Sequence, residues 1–283
     1  MMFADYHVHS EFSDDSDYRM EDIVEEALEM GMNELCFTDH VDYGVKRDWD
    51  DPRGILYRKG GAGEPERIPL ANVDYPHYVN KIHMLQERYN NKITIRLGME
   101  FGIQQHTIPQ YEALFRRYPF DFILLSVHQV EDKEFWTGDF QRGHTRREFY
   151  LRYYWELLSL VENYHNYSVL GHMDLISRYD PIGDFPFSQV EHIIEQILKR
   201  VIADGKGIEV NTSCYRYGLD MTPRREILGM YRDLGGEILT IGSDSHKREH
   251  LGVYIPETMN ELKGMGFKQI CTFEHMNPKF HPL

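Results

Sequence analysis

Seven short apolar runs, set apart by helical patterns and turns, constrain this chain more than any other feature. They are read at 3–7, 34–38, 93–98, 121–127, 167–171, 207–211 and 237–242. Their alternation with helices is the sequence form of repeated βα units around a parallel sheet. The clearest helix is predicted over 188–204. There Ser188 and Glu191 form a capping box, Val190, Ile193, Ile194, Ile197, Leu198, Val201 and Ile202 trace one face, and Gly205 ends it. Thr145 with Glu148 opens another helix in the same way, and the aromatic residues of 149–155 would pack it on the sheet. Further helices are read at 20–30, closed by Gly31, and at 223–234, with Pro223 at the first helical position and Gly235 after the last. A chain of 283 residues with 41% hydrophobic composition suits one α/β barrel, so 1–283 is expected to be a single domain. The stretch 42–72 is rich in Asp, Gly, Pro and Arg without period and is expected to be a long loop, the kind of segment that often serves as a lid.

Charge narrows the partners. A formal net charge of −15, spread along the chain, disfavours a nucleic-acid backbone or an anionic membrane and favours a small molecule. Cys36, Cys214 and Cys271 are odd in number and widely spaced, which points to no disulfide framework and no cysteine zinc site. Neither a basic leader nor an apolar span precedes Asp5 and His7, so a cytoplasmic, unprocessed protein is expected.

The chemistry stands where the predicted strands end, the place where barrel enzymes keep their reactive groups. The endings are Asp5-Tyr6-His7-Val8-His9, Thr38-Asp39-His40, Gly98-Met99-Glu100, Ser126-Val127-His128, Gly171-His172, Glu209-Val210-Asn211 and Gly242-Ser243-Asp244-Ser245-His246. One such ending would mean little. Imidazole or carboxylate at nearly every strand end points to convergence on one metal site, because unpaired polar groups there would be costly. His7 and His9 are two apart in an extended segment, so both rings face one side; Asp244 and His246 share that spacing. A carboxylate such as Glu100 can bridge neighbouring ions about 3.5–4 Å apart.

These residues resemble the PHP family, named for polymerase and histidinol phosphatase, whose barrel carries HxH near the start, a TDH, a glutamate, two further histidines and a final DxH. Every one of those motifs is present, in the same order, between residues 5 and 246. The resemblance implies a distorted (β/α)7 TIM-like barrel with parallel strands and a metal site at their C-terminal ends. Carried over residue by residue, it implies one ion held by His7, His9, Glu100 and Asp244, a second by Glu100, His128 and His172, and a third by His40 and His246. Asp14 stands where the family places the third ion's early ligand, although Asp15 is next door and the sequence does not choose between them. Mixed imidazole and carboxylate ligands accept zinc, manganese or iron.

Within the family, the chain length, the long loop after His40 and the segment from Gly171 to Arg178 resemble the stand-alone histidinol-phosphate phosphatases. The implied substrate is histidinol phosphate, and the implied reaction is in-line attack on phosphorus by a metal-activated water, without a phosphoenzyme. Glu100 and Asp244 are assigned to the reacting centre, and Arg178 and Arg216 are candidates for gripping the phosphate. Asp42 and His246 are both candidates for the acid that protonates the leaving oxygen. An acidic residue of the long loop could meet the substrate's amino group.

Other readings are weaker. His77, His83, His106, His144, His165, His192, His250, His275 and His281 do not stand at strand ends and are read as ordinary surface or core residues. Gly60-Gly61-Ala62-Gly63 does not link a strand to a helix, as a phosphate loop must. Arg142-Gly143-His144 has the wrong order for a histidine phosphatase, and no cysteine has an arginine six positions on, so no covalent nucleophile is indicated. A PHP-type nuclease would need a positive track that this acidic chain lacks. A related amidohydrolase would lack the final DxH, and a non-catalytic metal module would close its coordination with protein ligands.

Overall fold

The computed structural model describes residues 2–59, 66–183 and 185–283. Seven parallel strands form a nearly closed barrel in sequential order: β1 (Ala4–Val8), β2 (Glu34–Phe37), β3 (Thr94–Gly102), β4 (Phe122–Ser126), β5 (Val169–Leu170), β6 (Gly207–Asn211) and β7 (Leu239–Gly242). A two-residue strand, His40–Val41, runs beside the end of β3 and places His40 opposite Glu100. All seven predicted runs therefore form strands, and the α/β barrel expected from their alternation is present. Among the described residues the main-chain bonds across the seam between β1 and β7 lie at its C-terminal end, where the His9 N–H donates to the Ser245 carbonyl at 2.8 Å and the Ser245 N–H to that of His7 at 3.2 Å.

Two separate apolar clusters build the core. The larger lies between the barrel and its helices α1 (Met20–Glu29), α2 (Tyr75–Arg88), α3 (Ile108–Arg117), α4 (Arg146–Asn163), α5 (Glu191–Ala203), α6 (Arg225–Asp233) and α7 (Ile255–Gly264). The smaller cluster joins Ala4, Tyr6, Cys36, Phe122, Leu124 and Val169 of the strands to Cys271 and Phe273. The last two belong to a C-terminal antiparallel hairpin, Gln269–Glu274 with Asn277–Pro282, which the sequence reading did not include. The β1–β2 ladder changes register between Asp5 and Val8. Through that irregularity Tyr6 packs on Phe122 and Phe273, while its neighbour His7 meets Glu100 and Glu209.

Local signals held unevenly. The Thr145–Glu148 capping box forms in both directions at the start of α4, which buries Phe149, Tyr150, Tyr153 and Tyr154. The Ser188–Glu191 box does not form: a 3-10 turn over Phe187–Gln189 comes first, and α5 starts after Val190 with no side-chain cap. Pro223 also misses its predicted place, because α6 begins at Arg225 and the Thr222–Pro223 peptide is cis. The stretch 42–72 is not all loop: Leu56–Lys59 and Arg67–Leu70 pair as an antiparallel hairpin. The glycine run at 60–63 lies outside the described residues. Cys36, Cys214 and Cys271 are free and buried, and among the described residues no helix is long and apolar enough to cross a membrane.

Candidate metal centre

Glu100, at the end of β3, is the centre of the constellation. One oxygen, Oε2, lies 3.3 Å from His7 Nε2, 3.6 Å from His9 Nε2 and 2.9 Å from His40 Nδ1. The other, Oε1, lies 3.1 Å from His128 Nε2 and 2.9 Å from His172 Nε2, and accepts the Ser126 hydroxyl at 2.7 Å. Asp244 Oδ1 faces the same two β1 imidazoles, 3.6 Å from His7 and 3.5 Å from His9. The ring of His9 is stacked between those of His40 and His246, with centroids 4.2 and 4.0 Å apart. Five imidazoles thus converge on one fully buried carboxylate.

Several of these buried ligand atoms are left as a metal ion would need them. His7 Nε2, His9 Nε2, His40 Nδ1 and Glu100 Oε2 are buried and have no hydrogen-bond partner. Ligand atoms around a tetrahedral ion with bonds of about 2.0–2.1 Å lie ~3.3–3.4 Å apart, close to the 3.3 and 3.6 Å that separate Glu100 Oε2 from His7 and His9. His7, His9 and Glu100 form one group of potential ligands; Glu100, His128 and His172 form a second; His9, His40 and His246 form a third. The donor set of nitrogen and carboxylate oxygen suits the zinc, manganese and iron class.

The third group is where the structure departs from expectation. Asp14 does not face it: its carboxylate is 2.7 Å from Lys46 Nζ. Asp15 Oδ2 lies instead 3.2 Å from His246 Nε2 and 3.5 Å from His40 Nε2. The reason is the turn that follows β1. Asp39 accepts the Ser10 N–H at 2.7 Å and the Ser13 hydroxyl at 2.7 Å, and Ser16 donates to the His246 carbonyl at 3.0 Å, tethers that leave Asp14 on Lys46 and Asp15 on the two imidazoles.

Supporting carboxylates orient the rings through their other nitrogens, as metal-binding imidazoles require. Glu209, at the end of β6, approaches His7 Nδ1 at 2.6 Å with one oxygen and accepts the His172 N–H at 2.8 Å with the other. Gly242 makes room for that pair, since a Cβ there would lie 2.2 Å from His7 Cβ and 2.7 Å from Glu209 Oε1. Asp42 Oδ1 sits 2.8 Å from His128 Nδ1. Burial raises the Asp42 carboxyl, but Lys46 and His128 outweigh it and hold the group well below the usual carboxylate range. Asp42, an anion held between Lys46 and His128, is placed to orient the His128 ring; the sequence alone offers it, with His246, as a candidate for the leaving-group acid. Burial likewise raises Glu100, and the surrounding imidazoles of His7, His128 and His40 reverse the shift.

The centre forms the floor of a cavity of about 440 Å³, in the size range of small-molecule sites. Ile68 and Leu70 of the 56–70 hairpin, with Trp136, Leu175, Tyr179 and Tyr217, supply its apolar wall. Arg178 donates to Ser213 Oγ at 2.6 Å, lies over the Tyr217 ring at 4.2 Å and approaches Asp244 Oδ2 at 3.6 Å. Its Nε is buried without a partner, and the residue lines the cavity. Arg216 is used differently, donating at 2.9 Å to each of the Ser243 and Asp244 carbonyls and so fixing the loop that carries Asp244. Glu134 was missed in the sequence because it follows no barrel strand. Lys46 pairs with Asp14 and Asp42, and imidazoles meet Asp15, Glu100 and Asp244; Glu134 is the lining carboxylate left without an ion-pair partner among the described residues. Among the described acids of the long loop, Asp42 alone lines the cavity.

A barrel with a bridging glutamate, six convergent histidines and a cationic side chain above them defines the class of metal-dependent phosphoesterases. The chain matches the family model for the PHP domain over residues 5–213, and it belongs to that family. It is 31% identical to the histidinol-phosphatase of Lactococcus lactis over 98% of this chain and 96% of the relative, and 26% identical to the probable histidinol-phosphatase of Thermotoga maritima over 94% of each. A crystal structure of histidinol phosphate phosphatase from Lactococcus lactis, complexed with zinc, L-histidinol and phosphate, superposes with a TM-score of 0.82 at 29% identity and covers 98% of both chains.

Proposed function

We infer that this chain is a phosphomonoesterase that hydrolyses histidinol phosphate to histidinol and phosphate. The observation that carries the reading is one cavity with a bridged ligand set at its floor, an arginine with an unpartnered Nε and an unpaired carboxylate on its walls. Such a cavity is suited to a small ester with an anionic end and a cationic end. The end-to-end relation to histidinol-phosphatases supports it.

Divalent ions bound there would supply the nucleophile by acidifying water and would neutralise the phosphoryl charge. His7, His9, Glu100 and Asp244 are the proposed holders of one ion, Glu100, His128 and His172 of a second, and His40, His246 and Asp15 of a third. Glu209 and Asp42 fix His7 and His128 with Nε2 toward Glu100. Arg178 is proposed to grip a phosphoryl oxygen, with charge-assisted bonds that strengthen as charge builds in the transition state. Arg216 holds the Asp244 loop, Glu134 receives the ammonium or imidazolium of the leaving group, and the Trp136 and Tyr217 rings exclude water around it.

Steady-state kinetics test this with zinc or manganese restored to metal-stripped enzyme. The enzyme should prefer histidinol phosphate over an uncharged monoester and over a phosphodiester. Glu134→Gln should raise KM for histidinol phosphate by about tenfold, the ~1.4 kcal/mol of one charge-assisted contact, and leave the uncharged ester unaffected. Equal rates on all three substrates would overturn the substrate assignment.

A further inference from the structure

A lysine four residues after an aspartate is usually a solvated cation worth little to the protein. Lys46 is not of that kind. Its side chain is 9% exposed, and its Nζ lies 2.7 Å from Asp14 Oδ1 and 3.0 Å from Asp42 Oδ2. The main chain folds to make this possible, since the Lys46 N–H donates to the Asp42 carbonyl at 2.9 Å and turns the side chain back over Asp42.

We propose that Lys46 is a positioning residue of the metal centre: its ammonium clamps Asp14 and Asp42 and, through Asp42, fixes the ring of His128 with Nε2 toward Glu100. The inference rests on the reading of His128 as an ion ligand. Asp42 has one oxygen on Lys46 and the other on His128 Nδ1 at 2.8 Å, so neither the carboxylate nor the imidazole is free to rotate. The backbone of β3 is bare where the pair sits: a Cβ on Gly102 would lie 1.9 Å from Asp42 Oδ1 and 2.9 Å from His128 Nδ1. On its other side Lys46 takes up Asp14, whose neighbour Asp15 faces His40 and His246. One ammonium therefore ties the turn after β1 to the segment after His40. Without it two carboxylates would face each other in a buried wall with no cation between them.

The test uses Lys46→Gln, Asp42→Asn, the double variant and His128→Gln, each metal-stripped and titrated with manganese. Supporting residues of this kind affect metal affinity by about 10–100-fold, so Lys46→Gln should weaken one manganese site by that factor. If Lys46 acts through Asp42, the double variant should be no weaker than Asp42→Asn alone. A second readout is the nitrogen-15 spectrum of the zinc-loaded protein, where the His128 ring should give one sharp Nδ1–H signal in the wild type and a shifted or broadened one in Lys46→Gln. Wild-type affinity with an unchanged His128 signal in Lys46→Gln, or additive losses in the double variant, would overturn the proposal. Full manganese binding by His128→Gln would overturn instead the ligand reading beneath it. If Lys46→Gln does not fold by circular dichroism, Lys46→Arg keeps the charge and carries the same measurements, with affinity expected within about threefold of wild type and a larger loss counting against the clamp.

Discussion

Glu209→Gln isolates the contribution of a carboxylate that would touch no ion yet governs two residues that face the centre. The substitution keeps size and shape. In the wild type one oxygen meets His7 Nδ1 at 2.6 Å and the other accepts the His172 N–H at 2.8 Å. An amide has a single oxygen, so either His7 Nδ1 or the His172 main chain must face an NH2 group. If the oxygen stays with His172, the Nδ1–H tautomer of His7 that leaves Nε2 free for an ion meets a donor instead of an anion. Losing a hydrogen bond to a charged partner costs about 1.5–3 kcal/mol. At ~1.4 kcal/mol per factor of ten, the ion held by His7 should bind roughly 10–150-fold more weakly. The other imidazoles keep their contacts, so the remaining sites should fill as before. Equilibrium dialysis of stripped enzyme against zinc, followed by turnover at saturating and limiting metal, measures the difference. Activity should recover at high zinc, because the nucleophile's surroundings are restored once the ion is forced in. Unchanged zinc affinity in Glu209→Gln, with circular dichroism showing an intact fold, would refute the orienting role.

Three further outcomes follow from the same geometry. Asp15→Ala should lower bound metal by about one ion per chain in elemental analysis, whereas Asp14→Ala should not, because only Asp15 faces His40 and His246. Arg178→Ala should cost on the order of 2–5 kcal/mol in kcat/KM with metal content unchanged, while Arg216→Ala should show its loss together with a disturbed Asp244 loop in metal titrations. Burial pushes the Asp174 carboxyl from 3.8 to about 6, against the Arg224 N–H that donates to it at 2.8 Å. Its protonated form therefore stabilises the fold fully below pH 3.8, and that contribution, at most ~3 kcal/mol, is lost as pH rises through 6. Asp174→Asn keeps the acceptor for Arg224 but adds an unpaired amide that costs about 1–2 kcal/mol at any pH, so in urea unfolding metal-free protein should gain about 1–2 kcal/mol at pH 7 and lose about 1 kcal/mol near pH 4.

Much of the site was legible because catalytic groups on a barrel stand at a predictable point in each βα unit, and the histidines mark that point in the sequence. His7, His9, His40, Glu100, His128, His172, Asp244 and His246 come together for that reason. The choice between Asp14 and Asp15 was not legible, because the direction of a side chain in a turn depends on distant tethers, here Asp39 and Lys46. Glu134 and Lys46 were invisible for a related reason: they reach the cavity from a short hairpin and a loop, whose positions follow from no periodic pattern. Ser188 failed as a cap although its sequence context matched, because Phe187–Gln189 winds into a separate turn and leaves Val190 at the helix start. Thr145, with no such competing turn, formed the box it advertised.

The seam of the barrel gives the ligand set a mechanical meaning. Strands β1 and β7 are joined by the pair of main-chain bonds at Ser245, and directly above those bonds stand His7 and His9 from one edge and Asp244 and His246 from the other. An ion shared across them would act as a clasp on the open side of the cylinder, joining segments more than two hundred residues apart in sequence. A clasp of that kind cannot close until the seventh strand has emerged and docked, so during synthesis the metal would be captured last, as the lock on an already curved sheet. Once captured, it would add its binding free energy to the line along which the barrel most easily opens.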